Sequence, residues 1–408
     1  MATTLQFILG PSGAGKSEYI YEDIIRRTMQ DERENVIVLV PEQYSLEIQR
    51  KLVQKHPRGG SFQIDVIGFN RLAYRIFDEL HIKPKKVLED FGKSMLLRKA
   101  AQEHKEELSL YAGSLDKAGF IDEAKSLMSE IYQYDIPRER LREALQKLDD
   151  SEEARVLARK LQDMLVIFDA FEEKKGQSFI VAEQMLELLT AAAEQSELIA
   201  GSEIVLDGFT GFTPIQLNLI SVLLRRAKKV TIVLTIDAAT YEKKHVAEHE
   251  LFALTKQTIE HLLLTAEQAH VVVEPALFLG KDGCKRWSKG HPLAHLEQNL
   301  FRYPYRVGKD EEQAITITAY DTPAQELTGV AEQIRTLVME QGYRYRDIAI
   351  VSGNLEETAE FAKRILPQYE IPYFIDMTMP VKTYSGSLED AKVLVKLGWM
   401  LSFTGVIT

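Results

Sequence analysis

A chain of 408 residues is long enough for two or three domains, and its 45% hydrophobic and 27% charged content is that of a globular protein. No run of about eighteen apolar residues is present that could cross a membrane as a helix. The net charge of −11 excludes a generally basic coat for duplex DNA but leaves room for a local basic or aromatic channel, and the single cysteine, Cys284, excludes an internal disulfide or a four-cysteine metal or cluster site within this chain.

The first apolar run, residues 5–9, reads as a strand rather than a secretory leader, and with the cysteine usage it predicts a cytoplasmic protein. It runs into Gly10-Pro11-Ser12-Gly13-Ala14-Gly15-Lys16-Ser17, which is G-x-x-x-x-G-K-S, followed by a helical pattern (Tyr19, Ile20, Ile24, Ile25). Strand, glycine turn and helix place backbone N–H groups and a helix N-terminus around an anion. Gly10, Ser12, Gly13, Ala14, Gly15, Lys16 and Ser17 are therefore the predicted nucleotide-binding residues, with φ > 0 expected at the glycines. Lys16 is expected at the β- and γ-phosphates of ATP, and the Ser17 hydroxyl on Mg²⁺.

Residues 35–40 predict a second buried strand ended by Pro41, then a helix over 46–54 with Ser45 as N-cap. Residues 62–67 predict a third strand and 69–80 a third helix. Alternating strands and helices imply a mostly parallel sheet covered on both faces, with ligands at the carboxyl ends of its strands. Residues 85–200 change to long helical patterns, among them Val156, Leu157, Leu161, Met164, Leu165 and Phe168. The sheet resumes at 203–206, a helix follows from Pro214 with Thr213 as N-cap, and 229–234 is another buried strand. A further helix is expected over 248–267, and 270–312 reads as irregular. A second unit follows, with strands over 314–319, 347–352 and 372–375 and helices over 323–341, 355–366 and 386–403. The fold class is thus α/β: a P-loop domain (1–84 and 201–270), an inserted all-α subdomain (85–200), an inter-domain crossing (271–312) and an incomplete RecA-like domain (313–408).

A phosphate loop needs a second carboxylate to hold Mg²⁺ through water, and Asp207 at a strand end fits that role. The next residue is Gly208, where a water-activating glutamate would stand, so nucleotide binding with weak or no hydrolysis is expected. No catalytic residue and no other metal site is assigned: His291 and His295 lack a third partner.

Asp207 to Gln216, DGFTGFTPIQ, resembles the superfamily 1 helicase motif D-E-x-Q-D-x-x-P-x-Q, with Gly208 at its Glu, Thr210 at its first Gln and Gly211 at its second Asp, while Pro214 and Gln216 remain. Gly68-Phe69-Asn70-Arg71-Leu72-Ala73 resembles the T-F-H-x-L-A stretch of that superfamily. Residues 345–351 resemble its R-D-I-A-I-L-x-R motif, with Gly353 at the final arginine. Together with Val40-Pro41-Glu42-Gln43, Leu96-Leu97-Arg98-Lys99 and Ile371-Pro372-Tyr373-Phe374-Ile375-Asp376, the pattern is similar to the B subunits of AddAB-type ATP-dependent helicase–nucleases, in order along the whole chain.

That resemblance implies a degenerate helicase subunit in a heterodimer with a helicase–nuclease A subunit. It also implies action on single-stranded and broken duplex DNA in recombination repair, and recognition of a hotspot (Chi) sequence. The family's 5'–3' exonuclease domain and four-cysteine iron–sulfur cluster are expected to be missing from this chain, which reads as an N-terminal part. Gln43, Ser45, Phe69, Arg71, Tyr74 and Phe209 follow strand ends and are the predicted DNA contacts: aromatic faces stack bases, Arg reads phosphate or guanine, and Gln pairs with a base edge. Two rival readings are an active P-loop ATPase or helicase motor, and an assembly scaffold with a vestigial nucleotide site.

Overall fold

The computed structural model describes residues 3–375 except 32, 84, 116, 150, 177, 178, 281–284, 289 and 312. Cys284 and the helix predicted over 386–403 lie outside the described residues. The chain divides into two compact units at Ala314 and Ile315.

The first unit opens with β1 (Thr4–Gly10), α1 (Lys16–Gln30), β2 (Asn35–Leu39), α2 (Ser45–Lys55), β3 (Ile64–Ile67) and α3 (Phe69–Glu79). Then come β4 (Lys86–Leu88), α4 (Asp90–Glu103), α5 (Ala118–Gln133), α6 (Arg138–Gln146), α7 (Glu152–Lys175), β5 (Phe179–Val181), α8 (Ala182–Ala193) and α9 (Glu197–Ala200). The sheet resumes with β6 (Ser202–Leu206), α10 (Pro214–Arg226) and β7 (Lys229–Thr235). It is followed by α11 (Ala238–Glu242), α12 (Ala253–Gln268), β8 (Val272–Val273), β9 (Leu277–Phe278) and α13 (Pro292–Asn299).

The main sheet is parallel in every described pairing and runs β3-β2-β6-β7-β1-β8, with β9 also on β1. Alternation along the strands splits the core in two. Leu5, Phe7, Leu9, Ile37, Leu39, Ile204 and Leu206 pack with α3, α8, α10 and α12 on one face. Ile8, Val36, Val38, Val40, Val205 and Val233 pack with α1 and α2 on the other. Burial on both faces explains the near-continuous apolar runs of these strands.

The helices between β3 and β6 divide between two cores. Those of α4, α5 and α7 form a cluster of their own around Leu97, Met128, Phe168 and Phe171. Met185, Leu189 and Ala193 of α8 join the sheet core instead. Val156 and Leu157, read from spacing as part of the buried stripe of α7, stand exposed. Buried Lys93 of α4 bridges the clusters, donating to Ser129 Oγ at 2.7 Å and to Glu183 of α8 at 3.0 Å. Buried Asp163 of α7 accepts from the N–H groups of Ser109, Leu110 and Tyr111 at 2.8–2.9 Å, pinning an irregular loop.

Several sequence expectations are corrected. Ser45 is the first residue of α2 rather than its N-cap, and its hydroxyl donates to Glu42 O at 2.9 Å. The stretch expected to be irregular over 270–312 contributes β8, β9 and α13. The helix expected over 248–267 is α12, starting at Ala253. In the second unit α14 (Pro323–Glu340) and α15 (Leu355–Ile365) form as expected and pack around Leu327, Ala331 and Ala362. The strands expected over 314–319 and 347–352 and at 372–375 do not form among the described residues. Ile317 and Val351 are almost fully exposed there. A strand exists only where a partner ladder satisfies it, and apolar alternation does not supply the partner.

Phe77 of α3 is fully buried in the sheet core. Phe77→Ala is expected to cost about 3–5 kcal/mol of stability, read as a lowered urea midpoint with unchanged slope.

Candidate nucleotide and nucleic-acid site

Parallel strands bring five loops to one edge, those after β1, β7, β6, β2 and β3. The loop after β1 is the glycine turn. Gly13 (φ +73°) and Gly15 (φ +84°) take left-handed conformations, and Gly15 is the N-cap of α1. Gly10 is held by the Ile236 N–H at 3.2 Å, and a Cβ there would lie 2.4 Å from the Leu279 carbonyl oxygen, so only glycine fits. Ala14 is fully buried beneath the turn. The Lys16 ammonium folds over the loop and donates to Gly10 O at 2.9 Å and Pro11 O at 2.8 Å. The first N–H groups of the 15-residue helix α1 stand behind the turn, the donor arrangement by which helix N-termini can hold anions.

Asp207 directly follows β6 and is buried. One carboxylate oxygen accepts from the Gly208 N–H at 2.9 Å and the other from the Tyr21 hydroxyl at 2.6 Å. Tyr21 stands one helical turn after Ser17 on α1. The bond therefore ties the Asp207 carboxylate to the helix that carries Ser17. Burial first, and then the Asp207 charge, push the Tyr21 phenol well above its ordinary value of 10.0. Sequence reading missed Tyr21, although its position four residues after Ser17 on a buried stripe was a usable signal.

Lys285 and Arg286, in a stretch that carried no site residue in the sequence reading, meet the glycine turn. The Arg286 N–H donates to Gly13 O at 3.3 Å, and the Lys285 stem lies against Gly15. Glu297 of α13 is half-buried and lies within electrostatic reach of Lys16. Burial pushes the Glu297 carboxyl up, Arg302 pulls it down and Asp237 adds a further upward push. Arg302 pairs with Asp237 at 2.8 Å and lies over the Phe252 ring.

The loops after β2, β3 and β6 interlock. The Glu42 carboxylate accepts from the Asn70 N–H at 2.9 Å, at the start of α3. It lies so close to Gly68 that a Cβ there would collide with it. Phe69 and Phe209 are half-buried, with ring centroids 5.4 Å apart, and Phe209 continues to Phe212 at 5.2 Å. Ser45 is buried, with its hydroxyl committed to a carbonyl. Gln43, Arg71 and Tyr74 are exposed, and the Arg71 charge reaches Asp65, which also pairs with Arg75. Phe69 and Phe209 thus form a packed aromatic base and Gln43, Arg71 and Tyr74 an exposed rim, while Ser45 is buried in the turn. Thr213 and Pro214 start α10 as expected, with Gln216 Oε1 accepting from the Thr213 N–H at 2.9 Å.

This geometry has a counterpart among known proteins. Residues 7–297 match the family model described as "ADDB, N-terminal". The chain belongs to the AddB N-terminal family. It is 38% identical over 396 residues to the B subunit of the ATP-dependent helicase/deoxyribonuclease of Lachnoclostridium phytofermentans, covering 95% of this chain and 34% of that protein. The B subunits of the same enzyme from Clostridium novyi (31% identical; 91% and 32% covered) and Clostridioides difficile (31%; 93% and 33%) are also similar. The chain spans about a third of the length of these curated relatives. The AddB N-terminal match holds every residue of the edge just described except Arg302, and Glu297 is its final position.

No described helix is long and apolar enough to cross a membrane. Among the described residues no three His, Cys, Asp or Glu side chains gather to hold a metal ion. His291 caps α13, its Nδ1 accepting from the Leu293 N–H at 3.1 Å, and His295 Nε2 lies 2.9 Å from Arg306 O.

Tyr21→Phe is expected to cost about 1–3 kcal/mol at neutral pH, because the buried Asp207 oxygen loses its donor. The folded chain keeps the Tyr21 proton beyond the pH at which the unfolded chain releases it. Its contribution is therefore complete below the ordinary tyrosine value and shrinks as pH rises past it. The stability gap between wild type and variant should narrow in urea titrations above about pH 10.

Proposed function

We propose that this chain is the nucleotide-binding and single-strand-engaging part of an accessory B subunit in an ATP-dependent helicase–nuclease. The observation that carries the reading is the glycine turn at the carboxyl end of β1, with left-handed Gly13 and Gly15 and Lys16 at the start of α1. The names of the relatives support the wider assignment. Residues 1–84 and 201–270 form the P-loop domain in this reading, 85–200 its helical insertion and 313–408 part of a second RecA-like domain.

Gly10, Ser12, Gly13, Ala14, Gly15, Lys16 and Ser17 hold the phosphates of ATP. The tight approach at Gly10 and the buried carboxylate of Asp207 fit that group. Ser17 and Asp207 would hold Mg²⁺, which supplies charge neutralisation of the phosphates. The Tyr21 hydroxyl fixes the Asp207 carboxylate, and Gly208 offers no side chain to activate water. Hydrolysis is therefore weak or absent, and a partner A subunit supplies the motor.

DNA passes over the exposed rim. Tyr74 offers a stacking face, Gln43 a base-edge pair, and Arg71 a phosphate or guanine contact. Phe69 and Phe209 form the aromatic base beneath, and Ser45 fixes the turn that presents Gln43. Recognition of a hotspot sequence in strand released from broken duplex DNA is the function of this rim within a heterodimer.

Lys16→Ala should weaken ATP–Mg binding at least about tenfold by calorimetry. Steady DNA-stimulated hydrolysis by the wild-type chain, lost in Lys16→Ala, would instead establish a motor, and no nucleotide binding at millimolar ATP would establish a scaffold. Tyr74→Ala should cost about 1–3 kcal/mol of single-strand binding. Arg71→Ala should reduce the hotspot response of the assembled complex while partner binding is unchanged; an unaltered response in both variants would remove the rim assignment.

A further inference from the structure

We propose that the outer edge of β3 receives an extended segment of a partner protein as an added strand, and that this segment alternates acidic and apolar side chains. The surface is separate from the glycine turn, and the inference does not depend on nucleotide binding.

Among the described residues β3 is the terminal strand on its side of the main sheet. Its bonds to β2 are made by alternate residues: the Val36 N–H donates to Gln63 O at 2.8 Å and the Val40 N–H to Ile67 O at 3.1 Å. The backbone groups of Ile64 and Val66 therefore point outward, the arrangement by which an edge strand templates another chain. One outward group is already engaged. The side-chain amide of Gln49, on α2, donates to Val66 O at 2.8 Å. An N–H of an added strand would make the same bond, so Gln49 stands in for that strand.

The two sides of this edge differ in chemistry. Leu46, Gln49 and Val53 share one face of α2 by their spacing, and the Gln49 bond turns that face towards β3. Leu46 and Val53 stand exposed on it, Phe62 just before β3 is fully exposed, and a cavity of about 70 Å³ is lined by Leu52, Val53, His56, Ile64 and Val66. On the opposite face of β3, the Asp65 carboxylate pairs with Arg75 of α3 and feels the charge of Arg71 as well. One carboxylate meets two guanidiniums, which leaves surplus positive charge on that side. Successive side chains of an added strand point to opposite faces. Apolar residues would therefore cover the α2 side, and acidic residues would meet the arginines of α3. A helix could not use the outward groups of Ile64 and Val66, because its own backbone bonds are internal.

The test titrates the intact protein into a fluorescein-labelled ten-residue peptide alternating Glu and Val, read by anisotropy, for wild type, Gln49→Ala and Val53→Asp. Wild type is expected to bind. Gln49→Ala should bind about fivefold more tightly, because no side chain has to leave Val66 O, and Val53→Asp at least about tenfold more weakly. The same peptide N-methylated at every amide should not bind, and exchange of the Ile64 and Val66 amides should slow in the complex while that of Asp65 is unchanged. Failure of both wild type and Gln49→Ala to bind, equal binding by Val53→Asp, or equal binding of the N-methylated peptide would overturn the proposal. In the absence of peptide binding, a ten-nucleotide thymidine strand whose binding Val53→Asp weakens would assign the edge to nucleic acid instead, and dimerisation lost in Val53→Asp would assign it to a second copy of the chain.

Discussion

The parallel ladder between β1 and β7 is the constraint on which the arrangement of loops at this edge depends. It runs without a break from Thr4 opposite Lys229 to Gly10 opposite Thr235. Both strands therefore end at the same height, with the glycine turn beside Asp237. Parallel strands send all their outgoing loops to one edge, so the turns after β2, β3 and β6 arrive there as well. Burial of the ladder on both faces leaves no soft direction in which Gly10 could retreat from Leu279. Its lack of a side chain follows from that packing, and the left-handed turns at Gly13 and Gly15 follow from reversing the chain within five residues into α1.

The second consequence concerns buried charge. Asp207 is surrounded by apolar strand ends, and a carboxylate there is tolerable only with donors on it. Gly208 supplies one from the backbone and Tyr21 the other from α1. The same bond that satisfies the carboxylate also fixes the helix carrying Ser17 relative to β6. Lys93, held between Ser129 and Glu183, plays a similar tying part between the helical cluster and the sheet core.

Legibility in the sequence followed the range of the interaction concerned. β1, β2, β6 and β7 are apolar enough to stand out, and α10 announces itself by Thr213, Pro214 and Gln216. β8 and β9 are two residues each and have no pattern of their own; they exist because the outer edge of β1 accepts them. The expected strands of the second unit show the opposite case, where pattern is present and pairing is not. Ser45 looked like a cap by residue type, but Pro41 starts a short 3₁₀ turn that leads directly into α2, and its hydroxyl turns back onto Glu42.

The sequence by itself determined the glycine turn, the alternation that makes the sheet parallel, and the family resemblance, because each is written in residues close together along the chain. Tertiary structure decided what surrounds that turn. Tyr21 reaches Asp207 across 186 positions, and the Arg286 N–H reaches Gly13 O from far along the chain. Such contacts depend on where packed elements place a side chain, and no local spacing encodes that. The loop recognised first is therefore a glycine turn whose neighbouring buried carboxylate and covering residues became visible only once the chain had folded around it.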